Sequence, residues 1–401
     1  MLIYKLILGI LFSLLLLVTI YQKNRLESWI NQAPLRCFWV ISFLFRLIPF
    51  IAIYVFLGFD ARSDVLMFYD SAVSASKGGI VYRDFDSAYS PLFPYLTVIP
   101  LWFWDSPKSI ILEMIGLELL ILWGTLRLTR LSVYYALIYL LLPATFILSV
   151  LGGQEDILMW GALVFSLLLF RRKENFILLG ISLGIGLLVT KALFVLFIPA
   201  ILYFTRERFN VFWGLLIVGI PSLLIMFLAV QWDFLSPIQQ ANDPRLPNIW
   251  SILHPLTNGL IPLGPKWINW FGLLSILGIG LYFANSRLKS TIIEFFPSLF
   301  LVIYMWLMLS QQSSVVNYAY AILMPLVFCW ERKFTPIFWI VLVLFNFGVI
   351  LQAPLWWGMG MIYFHTVSDL LVPLHAVEYL LELIVVGSLG WFLKNMLFLK
   401  K

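Results

Sequence analysis

Charge is what this sequence has least of. Asp, Glu, Lys and Arg together make up 11% of its 401 residues, while 62% are hydrophobic and the mean hydropathy is +0.98. A soluble core has no use for that much apolar surface, whereas a bilayer solvates it. Cysteine is nearly missing. The two present, Cys37 and Cys329, sit in apolar runs and support neither a disulfide framework nor a cysteine metal site. Histidine is as scarce: His254, His365 and His375 are far apart, without zinc-type spacing. No nucleotide-binding glycine loop and no Ser-His-Asp order stands out. Lys and Arg are scattered singly through short loops, so nucleic acid is not an expected partner.

Long apolar runs, by contrast, are abundant, and runs of about 17 to 25 residues read as membrane-spanning helices. The candidates are 3–20, 37–58, 109–126, 132–150, 156–171, 209–230, 269–285, 291–309, 315–330, 335–353 and 371–393. The stretch 174–204 is about twice the needed length and is interrupted at Thr190-Lys191, where it divides into two spans. The expected fold is an all-α polytopic membrane protein, a bundle of about 11–13 transmembrane helices. Leu2 to Ile20 is longer than a signal-peptide core and lacks a small-residue cleavage site, so it reads as a retained span. Residues 1–36 then form an N-terminal span and cytoplasmic loop, and 37–401 the main transmembrane domain. An aromatic share of 17% suits interfacial belts and grooves for long lipid chains.

The few charges have sides. With these spans, Lys23/Arg25/Arg36, Arg127/Arg130, Arg171/Arg172/Lys173, Arg206/Arg208, Arg287/Lys289, Arg332/Lys333 and Lys394/Lys400/Lys401 fall on one face. By the positive-inside rule that face is cytoplasmic. The acid-rich loops 59–108, Gly152 to Asp156, 231–268, Gln311 to Tyr318 and 354–370 then lie outside. This order requires that 91–104 does not cross; it is short and is broken by Pro91, Pro94 and Pro100.

The first outer loop carries Asp60, Asp64, Asp70, Asp84 and Asp86. Turns and helix caps account for acids of this kind in many loops. Asp64 differs in lying within a few residues of a span, at headgroup depth, ahead of the apolar run Val65 to Tyr69, which suits a surface helix. The stretch "GGIVYRDFDSAYSP" that follows mixes Gly, Tyr, Arg and Asp, as a shaped polar pocket does. Lys191 interrupts an apolar run, where a lysine is costly and usually paired or functional.

These residues carry a resemblance. The segment with Asp64 and Asp70, then Gly79 to Asp84, then Tyr89-Ser90-Pro91-Leu92, resembles the first luminal loop of the GT-C glycosyltransferases. It is most similar to the mannosyltransferases that use polyprenol- or dolichol-phosphate mannose, among them the catalytic subunit of GPI mannosyltransferase I and its bacterial and archaeal relatives. "GGQEDIL" at Gly152 to Leu158 resembles the family's Gly-Asn/Gln-x-Asp segment. "VTKALFVLFIPA" at Val189 to Ala200 resembles its Lys-aromatic-Pro segment, and Glu118 precedes Arg127 as an intramembrane acid precedes a basic residue there. The match covers about residues 37 to 205, and the remainder by architecture.

The resemblance implies a GT-C-like bundle whose acidic first outer loop forms the active site. It implies transfer of a hexose, mannose by analogy, from a polyprenyl-phosphate sugar to a lipid- or glycan-linked acceptor. Asp64 is then the expected base. Asp60, Asp70, Tyr82, Arg83, Tyr89, Glu155, Asp156, Lys191 and Arg245 are expected to bind substrate, with Lys191 on the donor phosphate. Arg62 stands where the family's Asp-x-Asp pair has its first Asp, so no metal or other cofactor is expected. With no cytosolic glycine-rich domain, a lipid-linked donor fits better than a nucleotide sugar. The expected location is the plasma membrane of a prokaryote rather than the endoplasmic reticulum. A transporter or flippase using Arg46, Glu113, Glu118, Lys191, Glu294, Glu378 and Glu382 is the first alternative. A polymerase of lipid-linked glycans and a non-catalytic assembly partner are the others.

Overall fold

The computed structural model describes residues 2–237, 243–330 and 335–398. These are mostly helical, and no strand occurs among the described residues. Eight helices are long and apolar enough to cross a membrane: Leu2–Tyr21, Pro34–Phe56, Pro107–Thr129, Arg208–Val230, Lys266–Ser286, Ile292–Ser310, Pro336–Gly358 and Pro373–Leu397. A ninth is the pair Tyr134–Leu140 and Pro143–Leu151, bent by 69° where Pro143 cannot continue the first helix. The protein is therefore a multi-pass membrane helical bundle. The other expected spans are helical but shorter: Ile157–Lys173, Phe176–Val189, Ala192–Phe204 and Val316–Cys329. Such short helices are tolerated where the irregular backbone at their ends is enclosed by protein.

Local sequence explains several boundaries. Thr291 and Glu294 form a capping box at the start of Ile292–Ser310, with Glu294 accepting from the Thr291 amide at 3.2 Å. Glu294 is thus a helix-capping residue. Ile292–Ser310 is apolar all round and 78% buried, so it is the bundle's centre, whereas Arg208–Val230 is 11% buried and presents its side chains to lipid. That outer helix is anchored where Gly214 meets Gly180, each so close that a Cβ would strike the other helix's backbone.

Deep in the bundle, Arg46 and Glu118 form a fully buried two-pronged ion pair, at 2.7 and 3.0 Å. Tyr139 and Ser149 donate to Glu118, and Arg46 donates to Thr145 and the Leu140 carbonyl. Every charge is answered locally, so the pair is structural. Arg127, nine residues on, instead stacks over Trp123 at 4.6 Å.

The loops gather at two ends. At one, Ser132 meets Asn31, Arg171 donates to the Arg127 and Leu128 carbonyls, Tyr203 meets Asn285, and Arg287 reaches the Met396 carbonyl. This is the end with the basic residues; Arg332, Lys333, Lys400 and Lys401 of that set lie outside the described residues. At the other end, Tyr54 meets the Val150 carbonyl, and the Arg245 amide donates to Gln312. Tyr363 donates to Pro244 there, and His254 meets His365 at 2.8 Å. The segment 91–104 starts and finishes at this second end. Its beginning bonds to residues 188–190, and Asp105 just beyond it accepts from Tyr69.

Candidate functional site

Three breaks in regular structure meet at the second end. The first is the turn Gly152-Gly153 that opens Ile157–Lys173. Gly153 has φ +55°, and a Cβ there would come within 2.6 Å of Val65 Cγ2. Only glycine lets this turn lie against the start of the Val65–Ser76 helix. The second break is at Thr190-Lys191. The Thr190 hydroxyl bonds back to the Gly186 carbonyl, and Lys191 is extended before the 3-10 turn Ala192–Phe197. The third is the loop that leads into Val316–Cys329.

The segment after Tyr89 docks on the second break. The Ser90 amide donates to the Thr190 carbonyl at 3.3 Å and the Leu92 amide to the Leu188 carbonyl at 3.0 Å. This holds the Tyr89 ring 5.4 Å from Lys191 Nζ, while Tyr318 faces the same ammonium at 4.4 Å. Lys191 Nζ is 2.8 Å from Glu155 Oε1 and 2.7 Å from Asp156 Oδ1. Lys191 is therefore enclosed by two carboxylates. As a phosphate anchor, its expected role, it carries no surplus positive charge.

Asp64 completes the group. It directly precedes the Val65–Ser76 helix, but its side chain makes no capping bond. Its Oδ2 accepts from Gln154 Nε2 at 3.1 Å, and Gln154 Oε1 accepts from Asn317 Nδ2 at 3.3 Å. Asp156 likewise precedes a helix without capping it with its side chain. The simple capping account therefore fails for both residues. Burial, and then the Glu155 charge, push the Asp64 carboxyl above the usual carboxylate range. The Gln154 bond, Lys191 and Arg245 pull the other way and lose.

Of the residues singled out in the sequence, the structure brings together Asp64, Tyr89, Glu155, Asp156 and Lys191, with Arg245 in electrostatic reach of Asp64. Tyr82 acts one step removed, its hydroxyl donating to the Tyr89 carbonyl. Three stand apart. Asp60 and Asp70 are exposed. Arg83 is bound to its neighbour Asp84 in an exposed pair at 2.9 Å, which lowers the Asp84 carboxyl. The five aspartates are thus not one cluster: only Asp64 turns inward.

The motif Gly152 to Leu158 included Gln154 without giving it a role, and sequence reasoning did not single out Tyr304, Asn317 or Tyr318. Gln154 and Asn317 stand in short polar breaks beside apolar helices, a signal that could have found them. Tyr304, whose hydroxyl lies 3.5 Å from Asp156 Oδ1, sits within an apolar run and gives none. Among the described residues no group of three or more His, Cys, Asp or Glu is placed to hold a metal ion. A cavity of about 390 Å³ lies elsewhere, at the basic end beside Leu128, Glu294 and Cys329, and has no part in this site. No family model matches the chain, and none of the curated proteins matches it either.

Proposed function

We propose that this protein is an integral membrane glycosyltransferase. It moves a hexose, mannose by resemblance to the GT-C enzymes, from a polyprenyl-phosphate sugar to a hydroxyl of a lipid- or glycan-linked acceptor. The reading takes the thirteen helical passes in alternation, with the basic end in the cytoplasm and the Asp64 end outside. The prokaryotic plasma membrane belongs to the same reading and rests on the resemblance alone.

The observation that carries it is the environment of Asp64. A half-buried carboxylate with a raised pKa, oriented by Gln154 rather than spent on a cap, is what a general base needs. In the step, the acceptor oxygen forms a bond to the anomeric carbon and gives its proton to Asp64. The bond from that carbon to the phosphate oxygen breaks, and the electron pair leaves with the lipid phosphate. Arg245, half-buried and near Asp64, is the cation available to that departing charge. Asp60, Asp70 and Arg83 are exposed and apart from Asp64, and this step does not call on them.

The transporter reading is weaker. Arg46 and Glu118 answer each other, Glu294 caps a helix and Lys191 pairs with Glu155 and Asp156, which leaves Glu113, Glu378 and Glu382 unassigned.

The test is incubation of the purified protein with radiolabelled polyprenyl-phosphate sugars and membrane lipid acceptors. Transfer is expected in the wild type and should fall about a hundredfold to ten-thousandfold in Asp64→Asn. Turnover of the variant within a few-fold of wild type would put the base elsewhere.

A further inference from the structure

Glu155 and Asp156 each spend one oxygen on Lys191. The other oxygens, Glu155 Oε2 and Asp156 Oδ2, are buried and have no hydrogen-bond partner among the described residues. The two side chains are only 3% and 1% exposed, so solvent does not serve these atoms. A buried carboxylate oxygen without a donor is costly, and native structures usually supply one. Lys191 has three N–H donors, of which two are committed to the acids. Around it stand the rings of Tyr89 and Tyr318 and the Tyr304 hydroxyl.

The place is rich in acceptors and short of donors, with the carboxyl groups of Asp64, Glu155 and Asp156 gathered near one ammonium. Phosphate supplies mainly acceptors and more negative charge, so it does not fit. A second cation would meet the Lys191 ammonium. A neutral polyhydroxyl ring matches this hydrogen-bonding chemistry: its hydroxyls donate to the orphan oxygens and accept from the third N–H of Lys191, and its C–H faces suit the tyrosine rings.

We propose that Glu155, Asp156 and Lys191 form a subsite for the hydroxyl groups of a neutral sugar ring, with neighbouring hydroxyls on Glu155 Oε2 and Asp156 Oδ2. The sugar's phosphate, where it has one, lies away from Lys191 and toward Arg245. This deepens the glycosyl-transfer reading but is testable without any transfer.

The probes are methyl α- and β-hexosides, observed by saturation-transfer NMR on the full chain in nanodiscs, with inorganic phosphate and Mg²⁺ as competitors. Wild type should transfer saturation to the glycosides. The signal should fall at least about tenfold in Glu155→Gln and Asp156→Asn, which alter the orphan acceptors, and persist in Asp70→Asn, an exposed acid away from the subsite. Asp156→Glu, which keeps the charge on Lys191 but shifts the oxygen, should also lose it, separating ligand contact from loss of folding. Absence of signal in wild type, equal signal in all variants, or displacement of glycoside by phosphate or Mg²⁺ would overturn the subsite. If the glycosides bind as described but no lipid-phosphate sugar is ever consumed, the subsite stands and the transferase reading falls.

Discussion

The Gln154 side chain donates to Asp64 Oδ2 at 3.1 Å across 90 positions of sequence, so an acid in the loop 59–108 is aimed by a turn between two later helices. That bond favours the charged carboxylate, yet burial and Glu155 outweigh it.

A pH dependence follows, with a definite sign. Activity that needs ionised Asp64 is lost as pH falls through its folded pKa, which lies above the ordinary Asp value of about 3.9. The acidic limb of kcat/KM should therefore sit above that value. Gln154→Leu removes a bond to the charged form and should move the limb to still higher pH. A limb at the ordinary position, or a downward move in Gln154→Leu, counts against Asp64 as the base.

Stability should respond in the opposite sense to activity. Since the folded pKa of Asp64 exceeds the unfolded one, the unfolded chain gives up the proton first, and stability falls as pH rises between the two. Asp64→Asn removes that penalty, so its melting temperature in detergent should equal or exceed wild type at neutral pH. A marked drop would mean that Asp64 serves the fold.

Lys191 holds two buried carboxylates, and removing it leaves both uncompensated. Lys191→Met should cost about 3–5 kcal/mol of stability, measured by denaturation in detergent. Lys191→Arg should recover part of it. A methionine variant as stable as wild type would show that Glu155 and Asp156 do not depend on this charge.

Gly153→Ala tests the link between the turn and Asp64. The left-handed backbone alone costs about 1–2 kcal/mol, and the new Cβ must push Val65 aside. Transfer should fall more than melting temperature explains, because Val65 adjoins Asp64. Gly58→Ala, also at positive φ but in open space, is the control and should alter stability only.

Orientation is testable in cells. In a version with Cys37 and Cys329 replaced, Ser76→Cys and Asp86→Cys, both exposed at the Asp64 end, should react with a membrane-impermeant reagent. Lys289→Cys, exposed at the basic end, should react only after permeabilisation. The reverse pattern would invert the topology.

What the sequence determined by itself was the solvent and the helices. Apolar runs are a local property, so every expected span is helical, and the break at Thr190-Lys191 falls where a lysine interrupts the run. Loop charge likewise marked which residues share an end, because alternating helices leave a segment little choice. Even so, length did not convert into spans directly: several helices are shorter than a bilayer requires, since neighbouring protein shields their ends.

Tertiary structure alone decided which polar residues meet. Asp60, Asp64 and Asp70 are equivalent acids in one loop, and only the seating of the Val65–Ser76 helix against Gly153 turns Asp64 inward. Lys191 was expected on a phosphate, and packing gave it two carboxylates from a turn 35 residues earlier instead. Tyr304 joins Asp156 across 148 positions, from within an apolar run of its helix. Hydropathy says which residues avoid water; among helices that all avoid it, the shapes of their packed surfaces choose the neighbours.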